Sequence, residues 1–299
     1  MDLSRFDSIA EKLLAGEGLS ELDISELSST TNLLRLGALA DERRRRESGT
    51  RVTFVRVLEV ALNEKRDNQK IPDTAGEVRI IGCPDSIDNA ALEVQRIVSL
   101  SGQVPVTGFR LEDLVSLCAN EPDRFERLLL NLKRSGLAGL SEVSVDSQID
   151  VIWIERCVEA GIPINSAVIQ DTELPADVAA NRIKGWNHNY GIQVFSPLPK
   201  KLKLEPTTGY KDLHRVALAR VLVDNIPSIQ IDWRLYGPKL AQVALAFGAN
   251  DLDRVSPFDT LENGRRRSPL EEIKQNILAA SLKPVQRNCR FELTPVNLS

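Results

Sequence analysis

The chain has 299 residues, 42% hydrophobic and 27% charged, with a formal net charge of −4 and an isoelectric point near 5.5. That length can bury a large core as one α/β barrel or two smaller domains, and the acidic balance gives no support to nucleic-acid or membrane-surface binding. No apolar run approaches the roughly 18 residues of a membrane-crossing helix, and the N-terminus is acidic without an apolar core, so neither a span nor a signal peptide is expected and a cytoplasmic location follows.

Residues 4–46 read as helical, with turns at Gly16, Gly18 and Leu19-Ser20. The segment LLRLGALADERRRR is an amphipathic helix ending in Arg43–Arg46. Such a run is either a phosphate patch or a solvated helix C-terminus that suits the macrodipole and is offset by Asp41, Glu42 and Glu47. Residues 1–48 are expected to form a helical N-terminal arm, and residues 49–299 a barrel domain closed by a crossing segment.

From Arg51 the pattern alternates between strand and helix. Strands are expected over residues 51–60, 78–84, 104–109, 140–146, 162–170 and 191–197. The stretch IPSIQIDWRLYGPKLAQVALAFGANDLDRV, residues 226–255, then supplies a complete parallel strand–helix–strand unit. Ile229, Ile231 and Trp233 alternate as in a strand, and Pro238 suits the first turn of a helix. Leu240, Val243, Ala244 and Phe247 share one helical stripe, and Gly248 sits where a left-handed cap belongs. Eight short strands alternating with helices over about 250 residues predict a (β/α)8 TIM-type barrel. A doubly wound open sheet is the alternative, but no G-x-G-x-x-G follows any strand.

The four cysteines, Cys83, Cys118, Cys157 and Cys289, are too far apart to form a C-x2-C or C-x3-C ligand pair. With only His188 and His214 beside them, the inventory for metal chemistry is poor.

The segment NIPSIQIDWRLYGPKLAQVALAFGANDLD, the lead-in LLRLGALADERRRRESGTRVTFVR and the tail LKPVQRNCRFELTPVNLS resemble the radical-SAM enzymes that make menaquinone through futalosine. That family comprises aminofutalosine synthase and dehypoxanthine futalosine cyclase, with the deazaflavin (FO) synthase subunits as close relatives. The resemblance covers nearly the whole chain and is weakest between Leu58 and Glu77. It implies a [4Fe–4S] cluster on three cysteines spaced C-x3-C-x2-C after the first strand, its open iron holding S-adenosylmethionine. This chain has no cysteine in that loop, and the loop is shorter. Where the family shows a glycine pair after the second strand, Gly82 is kept and Cys83 replaces its partner. The family's glycine-rich stretch after the fourth strand reads here as Ser141-Glu142-Val143-Ser144-Val145-Asp146. Both cofactors are accordingly expected to be absent.

Polar residues remain at the C-terminal strand ends, where barrel sites are built. Gly82, Asp85, Asn165, Ser166 and Asp232 are the candidate ligand-binding residues, with Asn165-Ser166 matching a polar pair in the family. Glu142, Asp146 and Glu173 are the candidate catalytic carboxylates, or else solvated loop groups. Glu142 and Asp146 on a continuous strand would lie more than ~10 Å apart at roughly 3.3 Å per residue. The combination points to a catalytically degenerate radical-SAM-like protein of the futalosine route. It would act as partner or regulatory subunit of an intact relative, as a homo-oligomer, or as a binder of a nucleoside-like small molecule. The alternative is a non-radical hydrolase or isomerase working by acid–base chemistry at the barrel mouth. An obstructed mouth would favour the first reading, and an open pocket with converging carboxylates the second.

Overall fold

The computed structural model describes residues 3–62, 64, 71–147, 149–171, 174–201, 208–259 and 268–294. Three helices lead in: α1 (Leu3–Ala15), α2 (Glu21–Ser29) and α3 (Leu33–Ser48). A capping box starts α2, Ser20 accepting from the Asp23 N–H while the Asp23 carboxylate accepts from the Ser20 N–H. The arginine run at the end of α3 is engaged by the protein itself. Arg44 is fully buried on Asp41 and the Gly49 carbonyl, Arg43 reaches Glu47 and the Val221 carbonyl, Arg45 meets Asp41, and Arg46 meets Glu42 and the Leu14 carbonyl. That leaves a tethered helix C-terminus rather than a phosphate patch.

Eight parallel strands follow: β1 (Arg51–Ala61), β2 (Glu77–Ile81), β3 (Val106–Arg110), β4 (Leu137–Ser144), β5 (Ile164–Ile169), β6 (Val194–Pro199), β7 (Ser228–Asp232) and β8 (Asp251–Val255). Each pairs with the next, and β1 pairs with β8, which closes the barrel and excludes an open sheet. The helices between them are α4 (Ile87–Ser101), α5 (Leu111–Leu117), α6 (Pro122–Arg134), α7 (Ile152–Ala160), α8 (Ala176–Lys184), α9 (Gly209–Leu222) and α10 (Trp233–Leu245). After α11 (Pro269–Ala279), β9 (Lys283–Arg287) joins the sheet and β10 (Leu293–Thr294) returns antiparallel beside it. β9 pairs with Arg51–Val55 of β1, below the stretch Val57–Ala61 that β2 takes, while β8 holds the opposite edge. The tail thus fills the lower end of the barrel wall. Among the described residues, no helix is long and apolar enough to cross a membrane.

Two local expectations are corrected. The seventh strand ends at Asp232, whose carboxylate accepts from the Leu235 N–H at 2.9 Å and opens α10, so Trp233 and Arg234 are helical. Within α10 the buried stripe is Ala241, Ala244 and Leu245, and Val243 is exposed. The small side chains face β7 and β8 and let the helix lie close to the barrel. Gly237 (φ 75°, ψ 165°) interrupts that helix, and Pro238 restarts it as the first-turn reading expects.

Candidate functional site

Strand alternation sorts the barrel residues into two environments. Along β1, Val52, Phe54, Leu58 and Val60 join the hydrophobic core under the helices. Thr53 and Glu59 enter polar contacts in the lumen instead. Barrel interiors are ordinarily filled with branched aliphatic side chains. This one carries tiers of ion pairs.

In the lowest tier Arg287 clasps Asp251 through Nε and Nη2 at 2.6 and 2.8 Å, and Gln230 and Thr53 donate to the same carboxylate. Above it, Arg79 forks onto Asp253 at 2.9 and 2.9 Å and onto Glu77 at 2.7 and 3.0 Å. β1 lies between β2 and β8, so the Arg79–Asp253 pair spans the lumen. Burial works against both ions, but each is overcome by its partners. Asp253 is held well below the ordinary carboxylate range by Arg79, Lys200 and Arg287, and Arg79 stays well above the usual arginine value because of Asp253 and Glu77.

The top tier is the mouth. Asp232 Oδ2 accepts from Lys200 Nζ at 3.3 Å and from Arg254 Nη1 at 3.0 Å. Arg254 also donates to Glu59 Oε2 at 2.8 Å, which takes Arg234 as well at 2.9 Å. Around these groups opens a cavity of about 360 Å³ that Gly82, Cys83, Phe109, Arg110, Asp113 and Glu142 also line. Two of its lining residues, Phe109 (φ 63°) and Arg254 (φ 60°), hold left-handed backbone at strand ends. Such strain in non-glycine residues costs about 1–3 kcal/mol each and gathers at functional sites.

The residues singled out from sequence are only partly brought together here. Gly82 (φ 115°) and Glu142 line the cavity, and Asp232 anchors two of its cations. Ser166, the register partner of Glu142, donates to the Ser141 carbonyl at 3.0 Å. Asn165 points to the opposite face of β5, with Oδ1 packed against Gly139. Asp85 is exposed in the turn after β2. Glu173 lies outside the described residues.

Glu142 and Asp146 do not sit on one continuous strand, because β4 ends at Ser144. Gln170 bridges them, its side chain donating to Glu142 at 2.9 Å and its backbone N–H to Asp146 at 2.9 Å. Asp146 also accepts from Ser144 Oγ and the Asp171 N–H, and these bonds hold its carboxylate below the usual range against the opposing effect of burial. Lys200, Arg79, Arg254, Arg110 and Glu59 were not legible as site residues. Lys200 sits in a lysine-rich stretch that reads as solvated, and the available signal was its place just past the end of β6.

Cys83 is exposed at the mouth, with its thiol pKa pushed up by burial and by Asp113. Cys118, Cys157 and Cys289 are buried, and burial raises all three, Cys157 to about 12. Among the described residues, no three histidine, cysteine or acidic side chains are grouped to hold a metal ion.

Residues 197–299 match the family described as the CofH/MqnC C-terminal region. The aminodeoxyfutalosine synthase of Thermus thermophilus is 44% identical over 162 residues, covering 46% of this chain and 43% of that one. The 5-amino-6-(D-ribitylamino)uracil–L-tyrosine 4-hydroxyphenyl transferase of Archaeoglobus fulgidus is 25% identical over 244 residues, covering 67% of this chain and 68% of that one. The aminodeoxyfutalosine synthase of Streptomyces coelicolor is 31% identical over 129 residues, or 34% of this chain and 32% of its own length. The matched region thus spans less than half of either synthase. Among solved structures, methylornithine synthase superposes with a TM-score of 0.64 at 15% identity, covering 92% of this chain and 97% of that one. The hydrogenase maturase HydG of Carboxydothermus hydrogenoformans gives 0.63 at 14% identity, covering 97% and 81%. At such identities these two show the barrel fold alone.

Proposed function

We propose that the chain is a futalosine/CofH-like relative of the radical-SAM enzymes that carries out no radical chemistry, a reading supported by its likeness over residues 197–299 to the CofH/MqnC C-terminal region and by its partial matches to aminodeoxyfutalosine synthases. In this reading it serves menaquinone biosynthesis through futalosine in the cytoplasm. There it binds a nucleoside-like ligand of the route, or an intact relative, and turns nothing over by a radical step.

The disposition of the thiols carries the reading. A [4Fe–4S] cluster in this family needs three thiolates on one short loop. No cysteine lies between Leu62 and Glu77, one cysteine stands alone at the mouth, and the other three are buried with raised pKa values. These residues do not fit such a cluster, and without its open iron the amino acid end of S-adenosylmethionine has no anchor. Among the described residues the mouth is open rather than obstructed as this reading anticipated, and the cavity there gives a small ligand a place to enter. Asp146 is committed to the backbone N–H groups of Gln170 and Asp171, which speaks against its acting as an acid–base partner of Glu142.

Anaerobic reconstitution with iron and sulfide, followed by calorimetric titration of S-adenosylmethionine, tests the reading. A colourless protein that does not bind the cofactor is expected, and it should co-purify with an intact relative or bind a nucleoside of the route. A stoichiometric cluster with charge-transfer absorption overturns the proposal.

A further inference from the structure

We propose that the mouth cavity binds a small hydroxy acid, its carboxylate held by Lys200 and its hydroxyl donating to Glu142. This rests on the non-radical reading above but not on its nucleoside-like ligand, whose binding it neither requires nor excludes.

Most charged groups lining the cavity are already matched. Arg79 is taken by Glu77 and Asp253, Arg110 by Asp113 at 3.1 and 2.9 Å, and Arg254 by Asp232 and Glu59. Two groups are left with capacity. A lysine ammonium has three donors. Among the described residues Lys200 has one side-chain partner, an Asp232 oxygen at 3.3 Å that is shared with Arg254. A carboxylate is acceptor-only with two oxygens. One oxygen of Glu142 takes Gln170 Nε2 at 2.9 Å, and no described donor meets the other. Lys200 and Glu142 line the same cavity, at the ends of β6 and β4.

The pair selects its ligand. A plain anion would satisfy Lys200 but meet Glu142 as a like charge. A neutral polyol would offer the remaining Lys200 donors no charged acceptor. An ammonium in the hydroxyl's place would have to share Glu142 with Lys200 and Arg110, both of which already feel its charge. A carboxylate with a neighbouring O–H satisfies both groups. The volume of about 360 Å³ suits a small molecule, at the lower end of ligand pockets. Burial works against the Lys200 ammonium, but Asp232, Asp253 and Glu142 outweigh it and raise its pKa. Lys200 therefore stays charged, as an anion anchor rather than an amine nucleophile.

Calorimetry of the full chain with glycerate as probe, and with propionate, glycerol and alanine as comparison arms, tests this. Glycerate should bind saturably, and each of the other three about tenfold more weakly or less. K200M and E142A should each weaken glycerate binding by about tenfold or more, the range expected for a charge-assisted hydrogen bond. K200R should keep much of the affinity, which separates a lost charge from a lost fold. Absence of saturable glycerate binding, unchanged affinity in K200M, or equal binding of propionate or alanine overturns the proposal. Those outcomes leave the non-radical reading standing, since that reading fails only if a cluster forms.

Discussion

Arg287 of β9 grips Asp251 of β8 through two parallel N–H···O bonds of 2.6 and 2.8 Å, with both side chains withdrawn from water. β1 lies between those strands, so this one pair fastens the returning tail across the barrel floor. Removing one partner of a buried pair leaves an uncompensated ion and costs about 3–5 kcal/mol. R287M should lower the unfolding free energy by about that amount in urea titration. Combining it with D251L should recover part of the loss, because the charge left behind is then gone as well. A double variant as unstable as the sum of the two singles would show that the pair does not act as a unit.

The barrel itself was legible because apolar alternation and turn residues report strands directly, as at Ile229 and Ile231. The tiers inside it were not. Glu77 and Arg79, or Asp251 and Asp253, alternate with apolar residues as a solvent-facing strand surface does, and periodicity tells which residues share a face but not what that face meets. Only closure of β1 on β8 turns those faces inward. The mouth pair was hidden for the same reason. Asp232 and Lys200 are 32 residues apart, and nothing in PLPKKLKLEP distinguishes Lys200 from its neighbours until β6 ends at Pro199.

Acid stability should report on Asp253. Its folded pKa is depressed, because Arg79 and its neighbours outweigh the opposing effect of burial. A depressed carboxylate contributes stability that is full above the unfolded value of about 3.9 and is lost as pH falls toward the folded value. Wild-type unfolding free energy should therefore decline from about pH 5 downward. D253N should be less stable at neutral pH, since Arg79 loses a charged partner, and should show a shallower acid limb. Identical acid slopes in the two proteins would rule out Asp253 as a source of that limb.

Gly248 carries the α10 end past α9 and α3 with φ 100°, a region side chains rarely adopt. A Cβ there would stand 2.7 Å from Arg220 Cβ, 2.8 Å from its Cγ and 3.1 Å from Ala40 Cβ. Arg220 cannot move aside cheaply, because it is fully buried and bonded to the Gly248 carbonyl, Asn250 and Glu47. G248A should cost about 2–5 kcal/mol from backbone strain and overpacking together. Thermal unfolding would show it as a clear fall in Tm, and an unchanged Tm would contradict the packing.

The native protein should take up a single thiol label. Thiolate is the reactive form, and its abundance follows pKa and exposure. Cys118, Cys157 and Cys289 are buried, and burial drives each pKa upward, so reagents reach them only after unfolding. Cys83 is exposed, but burial of its sulfur and the charge of Asp113 raise its pKa as well. Its alkylation should be slower than that of a free cysteine near neutral pH and should keep accelerating as pH rises past the ordinary thiol value of about 8.5. D113N should speed labelling at fixed pH by removing a nearby negative charge. Intact-mass measurement would then show one adduct in the folded protein and four after denaturation, with peptide mapping placing the first at Cys83. Two or more rapid adducts in the folded state would mean that another thiol is within reach of the surface, and would contradict the burial of Cys118, Cys157 and Cys289.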